Sequence, residues 1–259
     1  LNQNLFMANE AVDRLEKLTS TAPLPDSRTP EKPHSADVCL HDVSFRYDGA
    51  AKDALSHVSL TIEEGRTVAL VGASGSGKTT IARLIPRFWD VRQGSVTIGG
   101  TDVRKMDKAE LMHSVSFVFQ NARLFKTTIL ENVRYGCPGA TISEVNRAID
   151  LSQSREIISR LPQGLNTLIG SEGTYLSGGE QQRIVLARAI LKNAPIVVLD
   201  EATAFADPEN EHLIRQALAH LTRGKTVLMI AHRLTTVQSA DNIAVVDNGS
   251  IAEQGTHTQ

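Results

Sequence analysis

The sequence predicts an α/β fold: a mostly parallel sheet covered by helices on both faces, with a smaller antiparallel β layer near its N-terminal side. Three observations predict it. An apolar run at 68–71 meets a glycine-rich loop, which opens into the helix-like IARLI at 81–85. Two further runs, IVVL at 196–199 and TVLMI at 226–230, are apolar throughout, as strands buried on both faces are. Helical patterns separate these runs, the arrangement of parallel strands joined by crossovers.

The 259 residues make one large domain or two small ones, and 41% apolar residues suffice for a substantial core. A net charge of −2 implies no general polyanion-binding surface, so nucleic acid is not an expected partner. Cys39 and Cys137 lie far apart without metal-ligand spacing and read as reduced thiols of a cytosolic protein. No apolar run approaches the roughly 18 residues needed to span a bilayer, and no signal peptide is evident. The chain begins with Leu1 and stops after a glycine and polar residues at Gln259; it is expected to be a piece of a longer protein.

Residues 5–18 read as an amphipathic helix. Leu5, Ala8, Val12, Leu15 and Leu18 form its stripe, with Glu10–Arg14 and Asp13–Lys17 at i,i+4. Two readings stand: a helix packed on the domain surface, or the cytosolic end of a helix arriving from upstream. Pro23, Pro25, Pro30 and Pro33 make 19–36 an extended linker, so the compact domain is expected from Asp37. Alternation in VCLHDVSFRY and LSHVSLTI, 38–62, predicts an antiparallel pair, joined by SVTIGG at 95–100. VSFVF at 115–119 is a strand. Helices are expected at 128–135, 142–151, 154–161, 179–192 and 208–221. NIAVVDNGSIAEQG closes the domain as a hairpin, with Asn248-Gly249 as a type I′ turn.

The stretch 67–80, TVALVGASGSGKTT, fits the phosphate-binding pattern G-x-x-x-x-G-K-[ST] through Gly72, Gly77, Lys78 and Thr79. Gly72, Gly75 and Gly77 free the backbone so that successive N–H groups, including those of Ser74, Ser76 and Thr80, can converge on an anion. Lys78 supplies charge to terminal phosphates, and the Thr79 hydroxyl can hold Mg²⁺. Without its context the stretch would be a Gly/Ser turn between strand and helix. Three other apolar strands also end on polar residues: 115–119 on Gln120, 196–199 on Asp200 and Glu201, and 226–230 with Ala231 on His232. Ligands of open parallel sheets bind outside the carboxyl ends of the strands. If these strands are parallel neighbours, all four residues surround one set of phosphates. Asp200 would then orient Mg²⁺, Glu201 would polarise the attacking water, and His232 would contact the γ-phosphate. Taken singly, an Asp-Glu pair is a common turn start, His232 a structural histidine, and Gln120 a polar loop residue.

A second stretch, TYLSGGEQQRIVLARAIL at 174–191, has the S-x-x-E spacing of a capping box in Ser177 and Glu180. It is either a well-capped buried helix or a second anion-binding helix start, with Gly178 and Gly179 bringing backbone N–H groups close. In the latter case, two chains could meet head-to-tail, each nucleotide lying between one chain's phosphate loop and the other's Ser177-Gly178-Gly179.

The phosphate loop, Gln120, LSGGE at 176–180, IVVLDE and His232 follow one another as in ATP-binding cassette (ABC) ATPases, which the sequence resembles over about 37–259. The LSGG run is highly specific. The resemblance implies an antiparallel β subdomain, a core sheet and a helical subdomain at about 121–192, with ATP and Mg²⁺ as ligands. It implies that Tyr47 stacks on adenine, that Gln120 joins Thr79 and Asp200 around Mg²⁺ and senses a membrane partner, and that Leu176 to Glu180 contact ATP across a dimer. Asp207 would sit in the loop linking the two sites. The N-terminal helix and linker, FRYDG and SFVFQNARLF are similar to the exporter-type subfamily. That makes 1–36 the end of a membrane helix plus linker, and places the domain on the cytoplasmic face of a bacterial membrane, paired with a transmembrane domain and a second ATPase domain. The usual final Gln of the signature is Glu180 here, and Ala204-Phe205-Ala206-Asp207 replaces the common loop. EATAFADPENE resembles siderophore transporters of the yersiniabactin and mycobactin type, which implies iron-siderophore uptake; the alternative is export of a lipid, peptide or drug-like substrate, and a more distant one a soluble ATPase acting on nucleic acid.

Overall fold

The computed structural model describes residues 23–119, 123–170, 176–200, 208–231 and 240–256, together with Glu10, Val12 and Val237. Glu10 and Val12 are helical and exposed; the rest of the 5–18 stripe lies outside the described residues. Residues 23–36 hold no helix or strand, as their prolines require, yet they are fastened to the domain. Glu31 N–H donates to Lys105 O (3.0 Å), His34 N–H to Gly99 O (3.2 Å), and Arg87 Nη2 to Pro25 O (3.0 Å).

Alternation builds the antiparallel layer. β1 (Val38–Phe45) pairs with β2 (Leu55–Ile62), and β4 (Gln93–Ile98) lies on its other side, carrying the two-residue β5 (Thr101–Asp102) at the edge. Val38 opposes Ile62 and Ile98, while Leu40 opposes Leu60 and Val96, so one face is apolar and buried. That face packs against α1 (Lys78–Leu84) through Ile81, Leu84 and Ile85.

The second sheet has the order β10-β9-β3-β8-β7-β6. Here β3 is Thr67–Val71, β6 Val115–Val118, β7 Ile196–Asp200, β8 Thr226–Ile230, β9 Asn242–Asp247 and β10 Ser250–Gly255. All neighbours are parallel except the β9–β10 hairpin, whose turn residues Asn248 and Gly249 have φ 45° and 79°, as a type I′ turn requires. β7 and β8 are buried at every position, which accounts for their lack of alternation. Val68, Leu70, Val198 and Leu228 face the α1 side; Ala69, Val197, Leu199 and Val227 face the helices opposite.

Helix α2 (Lys108–Ser114), capped by Asp107, has no counterpart in the sequence reading. Its seven residues are too few to display a helical period. The helical layer contains α3 (Ile129–Arg134), α4 (Ile142–Leu151) and α5 (Arg155–Arg160), packed on α6 (Gly178–Lys192). α6 serves two cores: Leu186 and Ala189 meet the sheet and α7 (Pro208–Thr222), while Ile184 and Ala187 meet Ile129, Val145 and Ile157. A helix buried on two sides is apolar around most of its circumference, which is why IVLARAIL shows no single stripe.

Candidate functional site

β3 ends at Val71 and the chain turns at once into the glycine-rich loop. The three loop glycines, alike in the sequence, have different reasons to be glycine. At Gly72 (φ 144°) a Cβ would stand 2.1 Å from Val246 O on β9. At Gly77 (φ 112°) it would stand 2.8 Å from Leu55 Cδ2. Gly75 (φ 79°) has no heavy atom within 4 Å of such a Cβ and is needed for its left-handed backbone alone. Gly77 precedes α1 with no side-chain cap.

Lys78, only 5% exposed, curls back over the loop. Its Nζ donates to Gly72 O (2.9 Å), Ala73 O (2.7 Å) and Ser76 Oγ (3.4 Å). A buried ammonium is tolerable only with such acceptors around it. Thr79 Oγ1 donates to Oδ1 of Asp200 (3.4 Å), itself 3% exposed at the end of β7. Tyr47 OH and Thr80 Oγ1 are 3.1 Å apart, and the Tyr47 ring stands edge-on to Phe45 and Trp89.

Tyr47, Ser74, Gly75, Lys78, Thr79 and Thr80 line one open cleft of about 630 Å³, joined by Lys52, Asp53 and the Asn248-Gly249 turn. That volume suits a small ligand. A slightly larger depression, about 700 Å³, is lined by Leu60, Glu63, Arg66 and Asp241 on another side of the molecule. It lacks the glycine loop and the lysine–threonine–aspartate set, so the smaller cleft is the candidate. Thr79 and Asp200 supply the hard oxygen donors Mg²⁺ prefers, so this pair fits that ion.

The strand-end expectation holds in the sheet. β3, β8, β7 and β6 are consecutive parallel neighbours, so their carboxyl ends share one edge. Gln120, Glu201, Asp207 and His232 themselves lie outside the described residues.

The sequence missed what braces the loop. Gly249 N–H donates to Ser76 O (2.9 Å), and a Cβ on Gly249 would meet Ala54 O at 2.8 Å. The closing hairpin thus supports a loop far upstream; the only hint was the Asn-Gly pair, which by itself says turn.

At the start of α6 the capping box is complete. Ser177 N–H donates to Glu180 Oε2 (2.8 Å) and Glu180 N–H to Ser177 Oγ (3.3 Å). Glu180 Oε1 accepts from Arg160 Nη2. Burial pushes the Glu180 carboxyl up, but the Ser177 amide, Arg160 and the Ser177 hydroxyl outweigh it and hold it below the ordinary carboxylate value. Gly179 is buried, and a Cβ there would lie 2.9 Å from Cβ and Cγ of Asn210 on α7. Leu176 is 9% exposed and belongs to the helical core, anchoring the segment. Arg160 and Asn210, both unsuspected from the sequence, are the neighbours of this helix start.

The ABC transporter family model matches residues 55–204. The ATP-dependent lipid A-core flippase of Vibrio cholerae is 49% identical over 224 residues, 86% of this chain and 38% of the flippase. ABC transporter B family member 28 of Arabidopsis thaliana is 46% identical over 228 residues, 87% of this chain and 32% of that protein. The chain thus spans less than two fifths of these curated relatives. A solved bacterial Atm1-family ABC exporter with ATP bound superposes with a TM-score of 0.86 at 37% identity, covering 95% of this chain and 44% of that one. With the phosphate-loop cleft, the four strand ends and the capped LSGGE helix in this arrangement, the chain belongs to the ABC transporter family.

Proposed function

We propose that this chain powers an exporter-type membrane transporter by binding Mg·ATP, closing head-to-tail on a second ATPase domain, and hydrolysing the nucleotide between them. One observation carries the pairing. Among the described residues, the lining of the cleft around Lys78 includes none from α3 to α6, the LSGGE helix start among them. A second chain, identical or not, would supply Ser177, Gly178 and Gly179 to complete the site.

In this reading Lys78 Nζ exchanges loop carbonyls for β- and γ-phosphate oxygens, while backbone N–H groups of 74–80 take the rest. Thr79, Asp200 and Gln120 hold Mg²⁺, whose bound charge would offset that developing on the phosphoryl oxygens. Glu201 takes a proton from the attacking water, His232 holds the γ-phosphate, Tyr47 receives adenine and Asp207 joins the paired sites. Residues 1–36 continue from a transmembrane domain on the cytoplasmic face. The bonds from 25–34 to Arg87, Lys105 and Gly99 tie that connection to the domain. Among the described residues no helix is long and apolar enough to cross a membrane, so the spanning part would lie elsewhere. The flippase relatives favour a lipid-like substrate and the Atm1-family exporter favours export; neither lends support to siderophore uptake.

The test is the mass in solution of the Glu201→Gln chain, with and without ATP. An ATP-dependent dimer that Ser177→Arg abolishes is the expected result. A Glu201→Gln chain that binds ATP yet stays monomeric, even with candidate membrane-domain partners added, refutes the composite site.

A further inference from the structure

Glu180 raises an electrostatic problem under the reading just proposed, on which this inference rests. The start of α6 would meet the triphosphate of a second chain, and it carries a carboxylate. Like charges brought together away from bulk water repel strongly. The carboxylate is not on the outside, however. Its side chain is 15% exposed, and Arg160 on α5, 58% exposed, covers it. The division of bonds is specific: Oε2 takes the Ser177 amide, and Oε1 takes the Arg160 guanidinium. Glu156, one turn earlier on α5, sits 3.9 Å from the same guanidinium, close enough to steady it but too far for a competing hydrogen bond. Packing does not demand an arginine at this place. Ile157 and Ile158 bury α5 in the helical core, while Arg160 stays on the surface.

We propose that Arg160 is a positioning residue for nucleotide capture. It neutralises Glu180 where the partner's phosphates arrive, and it keeps the carboxylate turned to the Ser177 amide so that the helix start presents donors. A glutamine at 180 would close the capping box without charge and would need no such counter-ion. The effect of Arg160 is therefore expected to depend on the charge at 180.

The experiment titrates ATP against dimer mass in the Glu201→Gln chain. Arg160→Met is expected to raise the half-point about tenfold, the order expected for losing one well-placed counter-charge. Arg160→Lys should recover most of that loss. In a Glu180→Gln background, Arg160→Met should shift the half-point by less than about twofold, whatever Glu180→Gln does alone. Equal losses in both backgrounds, with a parallel fall in the urea midpoint, would make Arg160 a packing residue and overturn the proposal. So would an unchanged half-point for Arg160→Met with Glu180 present. A Glu201→Gln parent that binds ATP but never dimerises would bring down the composite site, and this inference with it.

Discussion

Replacing Gly249 by alanine, 171 positions after Lys78, should loosen the phosphate loop. Two costs combine. Gly249 has φ 79°, and holding a side-chain-bearing residue there costs about 1–2 kcal/mol. The new Cβ would also sit 2.8 Å from Ala54 O, 3.2 Å from Ala54 C and 3.3 Å from Leu55 Cα. All three are backbone atoms that no rotamer change can move, so an overpacking cost of about 1–3 kcal/mol is added. Gly100 is the control. Its φ is 76°, but a Cβ there meets nothing within 4 Å, so Gly100→Ala should cost about 1–2 kcal/mol alone. Urea unfolding should rank the variants, with Gly249→Ala the less stable by the overpacking cost. Because Gly249 N–H holds Ser76 O, Gly249→Ala should also weaken ATP binding, measured by calorimetric titration, whereas Gly100→Ala should not. Equal stability and equal ATP affinity of the two variants would refute the claim that this turn braces the loop.

Three other substitutions probe the remaining contacts. Lys78→Ala should lower ATP affinity by about a hundredfold or more, since charge-assisted hydrogen bonds to phosphate are lost; an affinity within a few-fold of the parent in a fluorescent-nucleotide titration would contradict the assignment. Gly179→Ala should cost about 1–3 kcal/mol in urea unfolding, as its Cβ meets Asn210; an unshifted midpoint would mean that α6 and α7 are less closely apposed. Asp241 is held below the usual carboxylate range, first by the Thr67 amide and then by Arg66, so its contribution is present above its unfolded pKa of about 3.9 and lost as pH falls through its lower folded value. Asp241→Asn should therefore cost less than about 1 kcal/mol at neutral pH, the pair being half exposed, with thermal midpoints converging in acid; a gap that widened in acid would reverse the sign of this argument.

Local pattern made much of this molecule legible. β7 and β8 announced themselves because strands covered on both faces must be apolar throughout. That β3, β8, β7 and β6 are parallel followed from their crossovers, whereas their being neighbours was a condition that the sheet order meets. What remained hidden depends on contacts between distant segments. Nothing near Gly72 in the chain says that Val246 will press on it, and nothing near Glu180 names Arg160. Likewise Gly179, read as an opening for an anion, is also a position where Asn210 of α7 leaves no room for a side chain.

The place of β3 bears on how the domain comes into being. Its two neighbours in the sheet are β8 and β9, and the loop that follows it leans on Val246 and Gly249. All of these supports lie beyond residue 225. A ribosome that has just delivered Lys78 has made a phosphate loop with Leu55 at hand but neither flanking strand beside β3. Domains begin to fold during synthesis, and the antiparallel layer, whose last strand ends at Asp102, has all its strands early. The nucleotide cradle is instead among the last things assembled, because long-range strand pairing must wait for its partners. A nascent chain ended before Asn242 would carry the entire phosphate motif and yet lack β9 and the closing turn that flank it.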